Sequence, residues 1–452
     1  MSAGQFIQPL LTKHDKSLHK LQLDANMNLG KSLGVVSNFG SGHGWTLMTG
    51  AGTAMSDDTT YFESDIQGMR LTNDGATNAD ARKTFNSPRI DLRDRIIQIN
   101  FYIHDITKTT KIDAFFDVSS SGTFNSYFAT ALDGNMLRQG WNYWAIMPER
   151  MATLGSTPPT LKDLKNTRYI TLRTTRAAGE TSIVTFDRVL TYERSSSKGK
   201  VTLTFDDGFD NVFTEAKRIM DEYGFPGVAY VNTGTIGTSG KLTLEELQKM
   251  QQLGWDISSH GKDHTDLVTG GLTSAQVRDQ MVGDKQWLLK HGFYKGAQHF
   301  ATPYGSYNDA VLAEIKRTYV THRTVKERST IVETYPPANP YELPIRTVLN
   351  TNTVEDIQGW IDLVSVNRGW LILMFHRIED PADVFTKVTP TVFKGMVDYL
   401  AEADVDVVTM SDVLSQNSAE LFPETSLILE DKTLGTTHRL SLDNGVLGVE
   451  DI

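Results

Sequence analysis

Not one cysteine occurs among the 452 residues, which excludes disulfide frameworks, thiol nucleophiles and cysteine-based zinc sites. The compartment stays open, because a chain without thiols is equally safe in oxidising and reducing surroundings. Positive charge is also in short supply. Lys and Arg number 44 against 55 Asp and Glu, a formal charge of −11, so nucleic acid is not an expected partner. No apolar run approaches the roughly 20 residues that span a bilayer, and no membrane insertion is expected. Near the N-terminus the one apolar stretch, residues 6–11, is too short for a signal peptide and lacks a small-residue cleavage site. The mature chain is therefore expected to begin near Met1. What remains is 39% hydrophobic and 22% charged, an ordinary globular balance over a length that calls for two or more domains.

Texture divides the chain. Residues 1–35 are polar and read as a short arm. From 36 to 194 the segments 98–103, 111–118, 141–147, 169–174 and 181–192 carry β-branched and aromatic residues separated by Gly, Asn, Asp and Ser clusters. Strands without intervening helical patterns predict a β-sandwich, jelly-roll-like. The serine- and lysine-rich stretch 195–200 reads as a linker. Beyond it, short apolar runs (200–205, 227–232, 255–259, 298–302, 319–324, 343–348, 370–375 and 405–410) alternate with amphipathic stretches. Two of those stretches open on capping boxes at Thr243 and Thr273, and Gly254 and Gly292 stand where they should stop. Repeated βα units of this kind over residues 201–416 predict a distorted (β/α) barrel. Residues 417–452 return to β character, with Asp443-Asn444-Gly445 marking a hairpin turn.

In a (β/α) barrel, reactive groups come from the C-terminal ends of strands. Four predicted strands end in polar or special residues: Asp206-Asp207-Gly208, His260 with His264, Pro303-Tyr304-Gly305, and His376. Two histidines four apart on one side of a helical turn can hold one metal ion, and a carboxylate from another strand would complete a His-His-Asp set. Three protein ligands leave a position for water, whose pKa a metal lowers from about 15.7 toward about 7. Adjacent aspartates can divide the labour, one holding metal and one taking the proton of water. Each piece alone has a structural reading as a turn, a solvated histidine or a core residue. Their recurrence at four strand ends favours a shared site. Trp45, Trp141, Tyr143 and Trp144 could stack on sugar rings, although filling the sandwich core accounts for them more simply.

The series Thr204-Phe205-Asp206-Asp207-Gly208, Ser259-His260 with His264, Pro303-Tyr304-Gly305 and Leu373-Met374-Phe375-His376 resembles the polysaccharide deacetylases of carbohydrate esterase family 4, over about residues 199–416. The nearest subgroup deacetylates biofilm poly-N-acetylglucosamine. The resemblance implies Asp206 as general base, Asp207, His260 and His264 as metal ligands, and His376 as general acid. It also implies the Tyr304 N–H as a stabiliser of the oxyanion. The implied cofactor is a divalent metal, Zn2+ first, with Co2+, Ni2+ or Fe2+ also suited to such ligands. The implied substrate is an acetylated bacterial surface polysaccharide, with an acetyl xylan esterase or a weakly active carbohydrate-binding or adhesion protein as alternatives. Two features depart from the family. Its Arg two residues before Pro-Tyr-Gly is Ala301 here, with Arg346 the candidate replacement beside Asp206. The Asp-plus-Trp segment that supports the acidic histidine is missing. The last hairpin is somewhat similar to β tails of bacteriophage structural proteins, which suggests an extracellular or virion-associated enzyme. Attachment to other virion proteins, and self-association, are compatible with this reading.

Overall fold

The computed structural model describes residues 34–415, apart from 49, 64–66, 122–123, 194–195, 328–332 and 336, together with three later strands, Leu427–Asp431, Thr436–Asp443 and Val446–Asp451. Contacts divide the chain into two compact units, Met1–Ser195 and Ser196–Ile452. Most of the predicted N-terminal arm lies outside the described residues; its last two positions already belong to the strand Gly34–Ser37.

The first unit contains two antiparallel sheets. One runs in the spatial order Thr53–Asp58, Gly68–Asn73, Ser182–Glu193, Arg95–Ile103, Gly140–Ile146, with Gly34–Ser37 also on Ser182–Glu193. The other runs Ala152–Leu154, Tyr127–Asp133, Thr109–Asp117, Tyr169–Arg176, Asn78–Thr84, Trp45–Leu47. Alternate residues turn inward, so Phe101, Trp144 and Phe186 of the first sheet share one core with Phe116, Phe128 and Ile170 of the second. Trp45 and Trp144 belong to that core. The Tyr143 hydroxyl is committed to Glu63, and half-buried Trp141 lies edge-on to Tyr102 at 5.5 Å.

The second unit is built on parallel strands: β1 (Gly199–Phe205), β2 (Val228–Val231), β3 (Asp256–Ser259), β4 (His299–Ala301), β5 (Thr321–Glu327), β6 (Leu343–Thr347), β7 (Trp370–Phe375) and β8 (Val405–Val407). Pairing follows the order β2-β3-β4-β5-β6-β7-β1, and β1 returns to β2, closing a seven-stranded parallel barrel. β1 changes partners along its length. Its last residues, Thr204 and Phe205, pair with β2, whereas Gly199, Lys200 and Val201 pair with β8. Closure thus joins the C-terminal end of β1 to the start of β2. β1 and β7 are buried along their whole length, the pattern of strands covered on both faces.

The helices Leu244–Gln252 and Ser274–Lys290 open on the capping boxes Thr243/Glu246 and Thr273/Gln276. Three details differ from the sequence reading. β1 begins at Gly199, inside the predicted linker. The stretch 405–410 is a three-residue strand followed by the helix Met410–Ser415. Residues 260–264 form no helical turn, because Gly261 and His264 both take positive φ, 76° and 55°. Among the described residues no helix is long and apolar enough to cross a membrane. Thr436–Asp443 and Val446–Asp451 pair antiparallel with Asp443 opposite Val446, and Leu427–Asp431 makes the tail a three-stranded sheet; the Asn444-Gly445 turn lies outside the described residues.

Candidate metal and catalytic centre

The closed end of the barrel collects the polar strand ends. Asp206 follows β1, and its N–H donates to the Phe375 carbonyl at 2.9 Å, which ties the start of the aspartate pair to the end of β7 beside His376. The His260 N–H donates to Val231 at 2.9 Å. Buried Asn232 spans the turn after β3 by donating to the His260 and Gly261 carbonyls at 2.6 and 3.0 Å. His264 comes back to the same place through its left-handed backbone, with its ring centroid 5.1 Å from that of His260.

Asp207, His260 and His264 converge, with their candidate ligand atoms within 4.8 Å of one another. Asp207 Oδ1 lies 3.4 Å from His260 Nε2 and 3.0 Å from His264 Nε2, yet neither contact has hydrogen-bond geometry, so Oδ1 is buried without such a partner. The tautomer of His260 explains why. Its Nδ1 faces the Ala301 carbonyl at 2.8 Å. A carbonyl only accepts, so Nδ1 carries the proton, and in the neutral ring Nε2 turns a lone pair toward a carboxylate. Two lone pairs face to face repel unless a cation lies between them. Two nitrogens and one oxygen suit zinc and its first-row neighbours. The residues fit the implied metal.

Asp206 has a different environment. Arg323 of β5, fully buried, places Nη2 2.6 and 2.5 Å from the two carboxylate oxygens of the nearly buried Asp206. The guanidinium lies 5.0 Å from the Tyr230 ring centroid. This corrects the sequence expectation. The cation beside Asp206 is Arg323, one strand beyond the family's usual position, and Arg346 instead sits over Trp360 at 5.3 Å. Ala301, where the family Arg would stand, is fully buried and leaves the interior open for Arg323. A charged residue inside the apolar run 319–324 was the available signal.

His376 follows β7. Its Nδ1 is buried without a hydrogen-bond partner, as expected of a chain that lacks the supporting segment. Burial pushes the His376 pKa down, and the Asp206 and Asp207 charges push it back up only in part. Tyr304 stands at φ 58° with its ring 4.5 Å from His264. The next residue must be glycine: Gly305 has φ 66°, and a Cβ there would lie 2.0 Å from Val325 Cγ2. Thr302, which opens this turn, is held by the buried His322, whose other nitrogen meets the Tyr341 carbonyl at 2.9 Å. Burial pushes the His322 pKa down to about 4, so the ring is neutral. Asp206, Asp207, His260, His264, Tyr304 and His376 all stand at the C-terminal ends of barrel strands.

Residues 193–322 match the family described as Polysaccharide deacetylase. The chain is similar to YxkH of Bacillus subtilis at 31% identity over 130 residues, 29% of this chain and 46% of that one. It is also similar to the poly-β-1,6-N-acetyl-D-glucosamine N-deacetylase of Staphylococcus epidermidis, at 23% identity over 196 residues, 40% of this chain and 67% of that one. Among solved structures it aligns with the Streptococcus pyogenes deacetylase PplD in complex with acetate at 26% identity, with a TM-score of 0.29 over 32% of this chain and 63% of that one.

Proposed function

We propose that the chain is a metal-dependent hydrolase that removes acetyl groups from an acetylated bacterial surface polysaccharide. One observation carries the reading: the candidate ligand atoms of Asp207, His260 and His264 lie within 4.8 Å of one another, and the contact of His260 Nδ1 with the Ala301 carbonyl turns Nε2 toward the Asp207 carboxylate. Asp207, His260 and His264 are the ligands, and zinc is the first choice of ion. When bound, the ion supplies Lewis acidity toward a carbonyl and lowers the pKa of water.

The protein groups supply the rest. Asp206, ion-paired with Arg323, accepts the proton of the attacking water. The tight turn at Tyr304 presents its N–H to the negative oxygen that develops on the acetyl carbon. His376 delivers a proton to the departing amine or alkoxide, and acetate leaves. The β-sandwich unit serves to hold the polymer. The substrate named for the staphylococcal relative, poly-β-1,6-N-acetylglucosamine, is the first polymer to test. Acetate release should be measured on that polymer, chitin oligomers and acetylated xylan, with and without chelator. Release that chelation stops and Zn2+ or Co2+ restores is the expected result. Glycan binding without acetate release from any of them, in zinc-loaded protein, would replace the enzyme reading by that of an adhesion protein.

A further inference from the structure

The metal carboxylate sits on a strained backbone, and one side chain outside the ligand set holds that backbone in place. Asp207 has φ 70° and Gly208 φ 63°. Glycine takes the left-handed region freely, whereas for Asp207 the surrounding structure must impose it. The segment Gly240-Lys241-Leu242 imposes it from three sides. Asp210 N donates to Gly240 at 3.2 Å, Leu242 N donates to Gly208 at 2.9 Å, and Lys241 Nζ donates to the Asp207 carbonyl at 2.8 Å. A bridge joins Phe209 to Lys241, and the ammonium lies 3.7 Å from the Phe209 ring centroid, with Arg377 over the same ring at 3.9 Å. The segment is rooted in turn by the capped helix that starts at Leu244.

We infer that Lys241 is a positioning residue for the metal site: its ammonium, seated on Phe209, locks the Asp207 peptide in the left-handed conformation that aims the carboxylate at His260 and His264. This inference rests on the proposed metal site. Its sign separates it from plain electrostatics. A lysine near a cation site repels the cation, so removing only its charge would tighten metal binding. Removing a peptide clamp would loosen it, by about 10- to 100-fold for a group that orients a ligand.

The test is calorimetric titration of the chelator-treated full chain with Zn2+, comparing wild type, Lys241→Met, Lys241→Gln and Lys241→Arg, with thermal melts of the metal-free proteins alongside. Lys241→Met keeps the apolar stem on Phe209 and loses the donor, and its affinity should drop by that factor while its melt stays near wild type. Lys241→Arg, with charge and donors retained, should recover most of the affinity. If Lys241→Met does not fold, Lys241→Gln decides by the same comparison. Zn2+ affinity equal to or tighter than wild type in the folded Met or Gln variant would overturn the inference and leave the metal site standing. No uptake by wild type would overturn the metal site itself, and the inference with it.

Discussion

Replacing Arg323 by methionine removes the guanidinium that donates to both Asp206 carboxylate oxygens, and the consequence can be worked from the geometry. Arg323 and Asp206 are 0% and 4% exposed, with contacts of 2.5 and 2.6 Å. Two opposite charges about 4 Å apart attract by about 4 kcal/mol at an effective dielectric constant near 20. Breaking a buried pair by removing one partner typically costs about 3–5 kcal/mol, because the other charge stays behind. At about 2–4 °C per kcal/mol for a unit of this size, Arg323→Met should lower its Tm by roughly 6–20 °C. Urea unfolding at pH 7 measures the cost directly. The double variant Asp206→Asn/Arg323→Met should recover a large part of the loss, since neither charge is then stranded. Arg346→Met, remote from Asp206, should cost less than about 1 kcal/mol. A cost below about 1 kcal/mol for Arg323→Met, or no recovery in the double variant, would refute the assignment of Arg323 as the partner of Asp206.

Three further outcomes are expected. Asp206→Asn should keep Zn2+ and lose acetate release by about 100-fold or more, whereas Asp207→Asn should weaken Zn2+ uptake itself; equal metal loss in both would mean the pair is assigned the wrong way round. His260→Ala should lose the ion by elemental analysis, and His291→Ala, whose ring stacks on Trp287 at 3.9 Å, should retain it. Burial pushes the Asp256 carboxyl up to about 6 from 3.8, so the folded chain holds a proton there that the unfolded chain releases. The stability this proton brings is complete below about pH 3.8 and is lost as the pH rises through 6. Between pH 4 and 7, unfolding free energy of wild type minus that of Asp256→Asn should therefore fall, by up to about 3 kcal/mol. A flat difference would show that Asp256 titrates alike in both states.

The barrel was legible because its strands are buried on both faces and its helices announce themselves. β7 was read at its true bounds, Trp370–Phe375, from an unbroken apolar run. Thr243 and Thr273 marked helix starts through side chains that bond locally. The site was legible where chemistry sits next to a strand end in sequence, as with Asp206, Asp207 and His260. It was not legible where the partner comes from another strand. Arg323 meets Asp206 across the barrel interior, 117 positions away, and spacing alone gave no reason to prefer it over Arg346. His264 reaches Asp207 and His260 through a left-handed backbone rather than through a helical turn. For Trp45 and Trp144 the residue type suited a sugar platform and a core equally, and burial in the sandwich decided for the core.

The change of partner along β1 sets apart the two ends of the barrel. At the mouth, a shift of Thr204 or Phe205 against β2 would carry the aspartates away from the histidines. At the base, β8 occupies the place beside Gly199–Val201, and the helix Met410–Ser415 seals the opening, with Ser411 bonded to both Asp256 and His299. An appendage joined beyond that helix departs from the side remote from the reacting groups. It can change in length, charge or binding habit without touching the end where Asp206, Asp207 and the histidines stand.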